Sequence, residues 1–251
     1  MKTRDIHQKG RSLFLTARVL LLMLFFLGIG GCLSFVCHQT APRGTAAVLG
    51  TRPLVILDAG HGGEDGGAVG VNGVHEKELN LSVATMLAEQ LRAAGVEVIL
   101  TRTEDRLLYR DEENIKGHRK EYDLKNRLAV AEAHPEALFI SIHMNTFSEA
   151  KYSGLQVYYA ATEGSRELAE CVQSAVREHV QPENHRKIHA ASSSIFLLEH
   201  AVGRAVLVEC GFLSNPEECA RLSEKDYQRQ LCFSIFCGIM KYIEQSSGGI
   251  P

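Results

Sequence analysis

The chain has 251 residues, which suits one domain of about 200 residues with a leader ahead of it. Its 27 Lys and Arg are interspersed with 30 Asp and Glu, and a formal charge of −3 is not the signature of a nucleic-acid binder. The seven cysteines lack CxxC spacing, so they outline neither a disulfide framework nor a zinc finger.

Residues 1–18 carry Lys2, Arg4, Lys9, Arg11 and Arg18 against Asp5 alone. Val19 to Cys37 then runs without a charge, for about the twenty residues that cross a bilayer. The basic flank precedes the apolar run, which predicts a cytoplasmic N-terminus and a domain outside the membrane. The run exceeds the roughly 7–15-residue core of a cleaved signal peptide, favouring an uncleaved anchor. Ile29-Gly30-Gly31-Cys32 resembles a lipoprotein cleavage box, so a lipidated Cys32 is the other reading. Either fate tethers the protein. His38 to Pro53 has small residues, Gly and Pro without periodicity and reads as a linker. The domain is expected over residues 54–245, with a tail at 246–251.

Leu54 to Leu57 is an apolar run bounded by Pro53 and a glycine-rich segment, and predicts a buried strand. Asp58-Ala59-Gly60 follows, then His61 on a loop dense in glycine, then Glu76, after which a helix opens. Leu79, Val83, Met86, Leu87, Leu91 and Ala94 have helical spacing, and Gly95 ends them. Val96 to Leu100 reads as a strand. Thr101 to Tyr122 is heavily charged and reads as a solvated loop and a candidate groove wall. Leu124 to Ala133 reads as a short helix leading into Leu138–Ile142, a strand that delivers His143. Leu155 to Tyr159 reads as a strand, Ser165 to Val180 as a helix, and Ile195 to Leu198 as a short strand after three serines. Ala205 to Val208 is a further strand, delivering Glu209 ahead of Cys210-Gly211-Phe212. Tyr227 to Ile243 closes the chain as a helix, with Leu231, Ile235, Ile239 and Tyr242 on one side. Strands alternating with helices predict one α/β domain, a mainly parallel or mixed twisted sheet of about six strands flanked by helices.

Three strands thus present His61, His143 and Glu209 near their carboxyl ends, where open α/β sheets build their sites, and the first loop adds Glu76. Two imidazoles and a carboxylate with an open fourth position form the ligand set of a catalytic zinc ion, and a spare Glu is the base it needs. The remaining histidines, including His185 and His189 near a groove, are expected at the surface or in packing. Glu64 and Asp65 are expected to support the loop.

GHGG, EKELNL, SIHMN and VECGFLSNPEE resemble, in this order, the motifs of the zinc-dependent N-acetylmuramoyl-L-alanine amidases. The resemblance spans Pro53 to about Glu244. An N-terminal membrane segment followed by a bare catalytic domain is most similar to the germination-specific spore-cortex amidases of that family. The resemblance implies Zn²⁺ on His61, Glu76 and His143, with Glu209 as the catalytic carboxylate. It implies hydrolysis of the amide between the lactyl group of N-acetylmuramic acid and L-alanine of the stem peptide, in cortex modification and germination. A general amidase of division or autolysis is the alternative. Peptidoglycan strands with stem peptides are the implied partner, an activating protein is a candidate partner, and the implied location is extracytoplasmic, with the forespore intermembrane space a candidate. Ala59 departs from the Pro of many relatives, and His75 is an extra imidazole beside Glu76.

Two rivals belong to other classes. A cysteine hydrolase would use Cys210 with His143 as base. Cys210 follows Glu209 in an extended run, however, and so should point to the opposite face. A membrane-tethered, non-catalytic peptidoglycan-binding protein would have no need of all four carboxylate and imidazole positions.

Overall fold

The computed structural model describes residues 52–246. The basic N-terminus, the apolar segment, most of the linker and the tail lie outside the described residues. Among the described residues, no helix is long and apolar enough to cross a membrane. The strands are β1 (Leu54–Ala59), β2 (Glu97–Leu100), β3 (Leu138–Asn145), β4 (Gln156–Tyr159), β5 (His189–Ala190) and β6 (Ala205–Phe212). The helices are α1 (Glu76–Ala93), α2 (Arg119–Glu132), α3 (Ser165–His179), α4 (Phe196–Glu199), α5 (Pro216–Ser223) and α6 (Lys225–Ser246).

The strands form one mixed sheet of order β2-β1-β3-β6-β4-β5. β2, β1, β3 and β6 run parallel, β4 runs against β6, and β5 is parallel to β4. The chain leaves β1 for one flank and returns as β3 on the other. Their carboxyl ends therefore bound the crevice where ligands gather in open sheets.

Period-two alternation sorts the side chains into two layers. Val55, Leu57, Ile140, Ile142, Val206, Val208 and Cys210 face the larger core, under α1, α3 and α6. Ile56, Phe139, Ala205 and Leu207 face a smaller core that Leu124 and Leu128 of α2 and Leu197 and Leu198 of α4 cover. Toward the carboxyl ends that second face turns polar, carrying Asp58, Ser141, His143 and Glu209 in the same alternating phase.

β6 carries one extra residue against β3: His143 pairs with Glu209, but Asn145 pairs with Phe212. The bulge lets Cys210 and Leu213, three positions apart, both enter the larger core. Glu209 and Phe212 then share the other face.

Three expectations are corrected. The run at Ile195–Leu198 forms the helical turn α4, and the short edge strand is His189–Ala190. A four-residue apolar run has no period long enough to separate the two. The segment 101–122 is only partly solvated loop: Arg102, Leu107 and Glu113 are buried, and α2 opens at Arg119, ahead of Leu124. The charged first turn of α2 hides its start, because only one stripe of it packs. Finally, β3 and β6 run on past His143 and Glu209 instead of stopping there.

Asp58 ends the polar phase of β1 with no solvent contact. It accepts hydrogen bonds from Thr101 Oγ1 at 2.7 Å, Ser141 Oγ at 2.6 Å and Arg127 Nη1 at 2.6 Å. Burial alone would push its carboxyl up, but Arg127 and the two hydroxyls outweigh that and hold it below 3.8. Asp58→Ala removes one of the two buried carboxylates on Arg127, Asp123 being the other, and should lower stability by roughly 1.5–3 kcal/mol in denaturant titrations of the full-length protein. A loss under about 1 kcal/mol would show that the pair is dispensable. Because the folded value lies below the unfolded one, Asp58 stabilises fully above about pH 4 and its contribution fades as pH falls further. Wild type should therefore lose stability on acidification more steeply than the variant.

Candidate metal centre

The loop after β1 is held by two buried guanidinium groups. Arg127 donates to the carbonyls of Ala59 and His61, each at 2.8 Å, and its Nε to Asp123 Oδ2 at 2.9 Å. Arg102 donates to the carbonyls of Ala59 at 2.8 Å, Gly60 at 3.0 Å and Lys77 at 2.8 Å. Burial, with Arg127 alongside, lowers Arg102 to about 10, so it stays charged at neutral pH. Within the loop that the two arginines hold, with Arg127 on its own carbonyl, His61 adopts a left-handed backbone conformation, φ 62°, which is unfavourable for a side-chain-bearing residue.

His61, Glu76 and His143 converge, with one donor atom from each lying within 4.8 Å of the others. Glu76 Oε1 is 3.2 Å from His61 Nε2 and 2.9 Å from His143 Nδ1. In a tetrahedral zinc site with bonds of about 2.0–2.1 Å, donor atoms lie about 3.3 Å apart. The spacing and the donor chemistry therefore fit a divalent ion such as zinc. Glu76 is fixed by Ala68 N, donating to Oε2 at 2.8 Å, and by Met144 N, donating to Oε1 at 3.1 Å. Asn80 Nδ2 reaches the same Oε1 at 3.3 Å and the Gly60 carbonyl at 3.1 Å.

Asp65 Oδ2 lies 2.9 Å from His61 Nδ1, leaving Nε2 for the cluster, the orientation that carboxylates impose on metal-binding histidines. Burial would lower the His61 pKa, but Asp65 and Glu76 raise it to about 9. Burial likewise opposes the ionisation of Glu76, yet the two imidazoles hold it well below the usual carboxylate range. Two glycines make room. A Cβ on Gly60 would sit 2.2 Å from the His143 ring, and one on Gly67 would sit 2.6 Å from Glu76 Oε2. His75, the extra imidazole, stands at the N-cap position of α1 without a side-chain capping bond and does not join the cluster.

Glu209 is the strand partner of His143 and lies beside the cluster on the same face. Its Oε2 is buried and accepts no hydrogen bond. Burial, reinforced by Glu76 and opposed by His143 and His61, raises its pKa to about 7. A carboxyl poised there can take or give a proton near neutrality. Cys210 faces the other way into the larger core, and burial pushes its thiol well up. That placement removes the cysteine-hydrolase reading.

Sequence reasoning missed Asp58, Arg102, Asp123, Arg127 and Asn80. One signal was present: Asp58 occupies an inward position of an otherwise apolar strand, which demands a buried cationic partner.

The family model described as N-acetylmuramoyl-L-alanine amidase matches residues 55–241. The germination-specific N-acetylmuramoyl-L-alanine amidase of Bacillus subtilis is 35% identical over 197 residues, covering 76% of this chain and 80% of that protein. The CwlD amidase of Clostridioides difficile, solved in complex with the GerS lipoprotein, superposes with a TM-score of 0.74 at 37% identity, covering 77% of this chain and 100% of that one. The amidase AmiC2 of Nostoc punctiforme gives 0.66 at 30% identity, covering 76% and 97%.

Cys210 also yields a direct chemical test. A buried thiol held in its protonated form should resist iodoacetamide at pH 8 in the folded protein and react at least about 100-fold faster in denaturant. Mass-spectrometric mapping showing rapid native alkylation at Cys210 would reopen the thiol mechanism.

Proposed function

The chain belongs to the N-acetylmuramoyl-L-alanine amidase family, enzymes that act on peptidoglycan, and on that premise we propose a zinc-dependent mechanism for it with named residues. His61 through Nε2, His143 through Nδ1 and Glu76 through Oε1 would hold the ion. The observation that carries this is the pair of near-tetrahedral separations around Glu76 Oε1, with the unpartnered Glu209 Oε2 on the same sheet face. When bound, Zn²⁺ supplies Lewis-acid polarisation of the amide carbonyl and lowers the pKa of water from ~15.7 towards ~7.

The rest is the work of the chain. Glu209 Oε2 takes a proton from the attacking water and delivers it to the leaving nitrogen of L-alanine, so the lactyl carboxylate and the free peptide amine are the products. Its burial raises the basicity of this carboxylate in advance of the reaction. Asp65 fixes the His61 tautomer, and Arg102 and Arg127 fix the backbone that carries it.

Cortex modification and germination are the physiological setting of this proposal, supported by similarity to the germination-specific amidase of B. subtilis. The complex of the C. difficile relative with a lipoprotein supports a protein partner here too. The basic flank and apolar run at 19–37 support an extracytoplasmic domain tethered to the membrane. Full-length protein should accordingly sediment with membranes and lose its domain to protease added outside. Recovery in the soluble cytoplasmic fraction would refute the tether.

Elemental analysis of the purified full-length protein should find one zinc per chain. His61→Ala and His143→Ala should each lose most of it, since each removes one of three protein ligands. Glu209→Gln should keep the zinc while peptide release from peptidoglycan falls by roughly 10²–10⁴-fold. Full zinc in both His variants, or an active Glu209→Gln enzyme, would overturn these assignments.

A further inference from the structure

Arg186 precedes the edge strand β5 and lies over the sheet face that carries Glu209. Its Nη1 donates to Gln156 Oε1 at 3.1 Å, and Gln156 is the β4 residue paired with Glu209 across the sheet. Its Nε donates to the Ser153 carbonyl at 2.7 Å. The guanidinium lies 4.3 Å from the centroid of the Phe212 ring and 5.7 Å from that of Tyr152. Phe212 reaches this face only because of the bulge that follows Glu209.

The Arg186 backbone is pinned as well. Its N–H donates to Asn184 Oδ1 at 3.0 Å, and its carbonyl accepts from Arg177 Nη2 at 2.9 Å. For all this support, no described carboxylate forms an ion pair with Arg186. It also lines a cleft of about 460 Å³ that carries Lys151, His185 and Arg221, with the exposed Glu183 as the acid facing solvent there. The buried acid there, Glu218, spends both oxygens on the backbone N–H groups of Gly154 and Phe212. A planar cation held rigid on aromatic faces, with charge left over, is suited to pair a carboxylate.

We propose that Arg186 and this cleft form a subsite for a free carboxylate on the peptide side of the substrate, with Arg186 as the specificity-determining residue. The side follows from the chemistry of the bond. The glycan partner has spent its lactyl carboxyl in the amide, whereas the peptide ends in a carboxylate whatever its side chains. The cleft therefore selects acidic stem peptides and aligns the scissile amide past Glu209. This inference rests on the amidase reading of the same site.

The probes are two muramoyl-peptides of one sequence, one with free carboxylates and one with every peptide carboxylate converted to its amide. Full-length wild type should favour the free acid in kcat/KM by roughly 10- to 100-fold, the size of one charged hydrogen bond. Arg186→Gln should lose that preference, chiefly through KM on the free acid, with a distinctly smaller loss on the amidated probe. Equal losses on both probes would mark Arg186 as a packing residue and overturn the proposal, as would a wild type indifferent to the carboxylates. Should Arg186→Gln fold poorly, Lys151→Gln with Arg221→Gln, on the outer wall, should narrow the same preference, and an unchanged preference there would also count against the cleft. Calorimetric binding of both probes to Glu209→Gln protein reads the subsite without turnover. An enzyme that cleaves neither probe yet binds the free acid more tightly would refute the amidase reading and leave the subsite standing; equal binding would refute the subsite.

Discussion

The buried charge network behind β1 is the constraint on which the site depends. Asp58, Asp123, Arg127 and Arg102 are each at most 2% exposed, and the two arginines donate to the carbonyls of Ala59, Gly60 and His61. Removing such charges from water is costly, and well-packed apolar side chains would often serve stability as well. What apolar side chains cannot do is donate to three successive carbonyl oxygens at a strand end, where the neighbouring backbone stops supplying donors. Here the guanidinium forks do so, and His61 is carried into the cluster in a strained conformation as a result. The chemistry at the surface is set by hydrogen bonds made beneath it.

The sheet supplies the rest of the precision. His143 and Glu209 are register partners on adjacent parallel strands, so their spacing is fixed by the ladder rather than by loops. Glu76 opens α1 and is gripped by two backbone N–H groups from different segments. Each of these groups thus rides on a rigid element, and His61 alone needs a held loop. The two imidazoles beside Glu76 outweigh its burial and keep that carboxylate ionised, while burial of Glu209, packed nearby without donors, raises its pKa to about 7.

Much of this was legible in the sequence because it is periodic or terminal. The runs at Leu54, Leu138 and Ala205 announce strands, and polar residues at their ends announce a site, so His61, Glu76, His143 and Glu209 emerged together. Arg102 and Arg127 did not, because a charged residue in a charged segment looks solvated until its partner is known. Asp123 and Arg127, four apart on α2, face Asp58, which is more than sixty positions away in the chain. No local pattern encodes that meeting. The helical turn at Phe196 was misread for the opposite reason, since its residues are apolar enough for either structure.

The extra residue in β6 has a consequence for how this motif tolerates change in length. Along a strand, position is phase, and a single insertion or deletion reverses every side chain beyond it. Between Glu209 and Phe212 the bulge resets that phase, so the acid and the aromatic share one face while Cys210 and Leu213 share the other. Losing one residue there would close the bulge and leave Glu209 and Phe212 two positions apart on one face, whereas gaining one would exchange the two surfaces and turn the platform beneath Arg186 toward the core. The segment can therefore shorten by one residue and keep its phase, but it cannot lengthen by one.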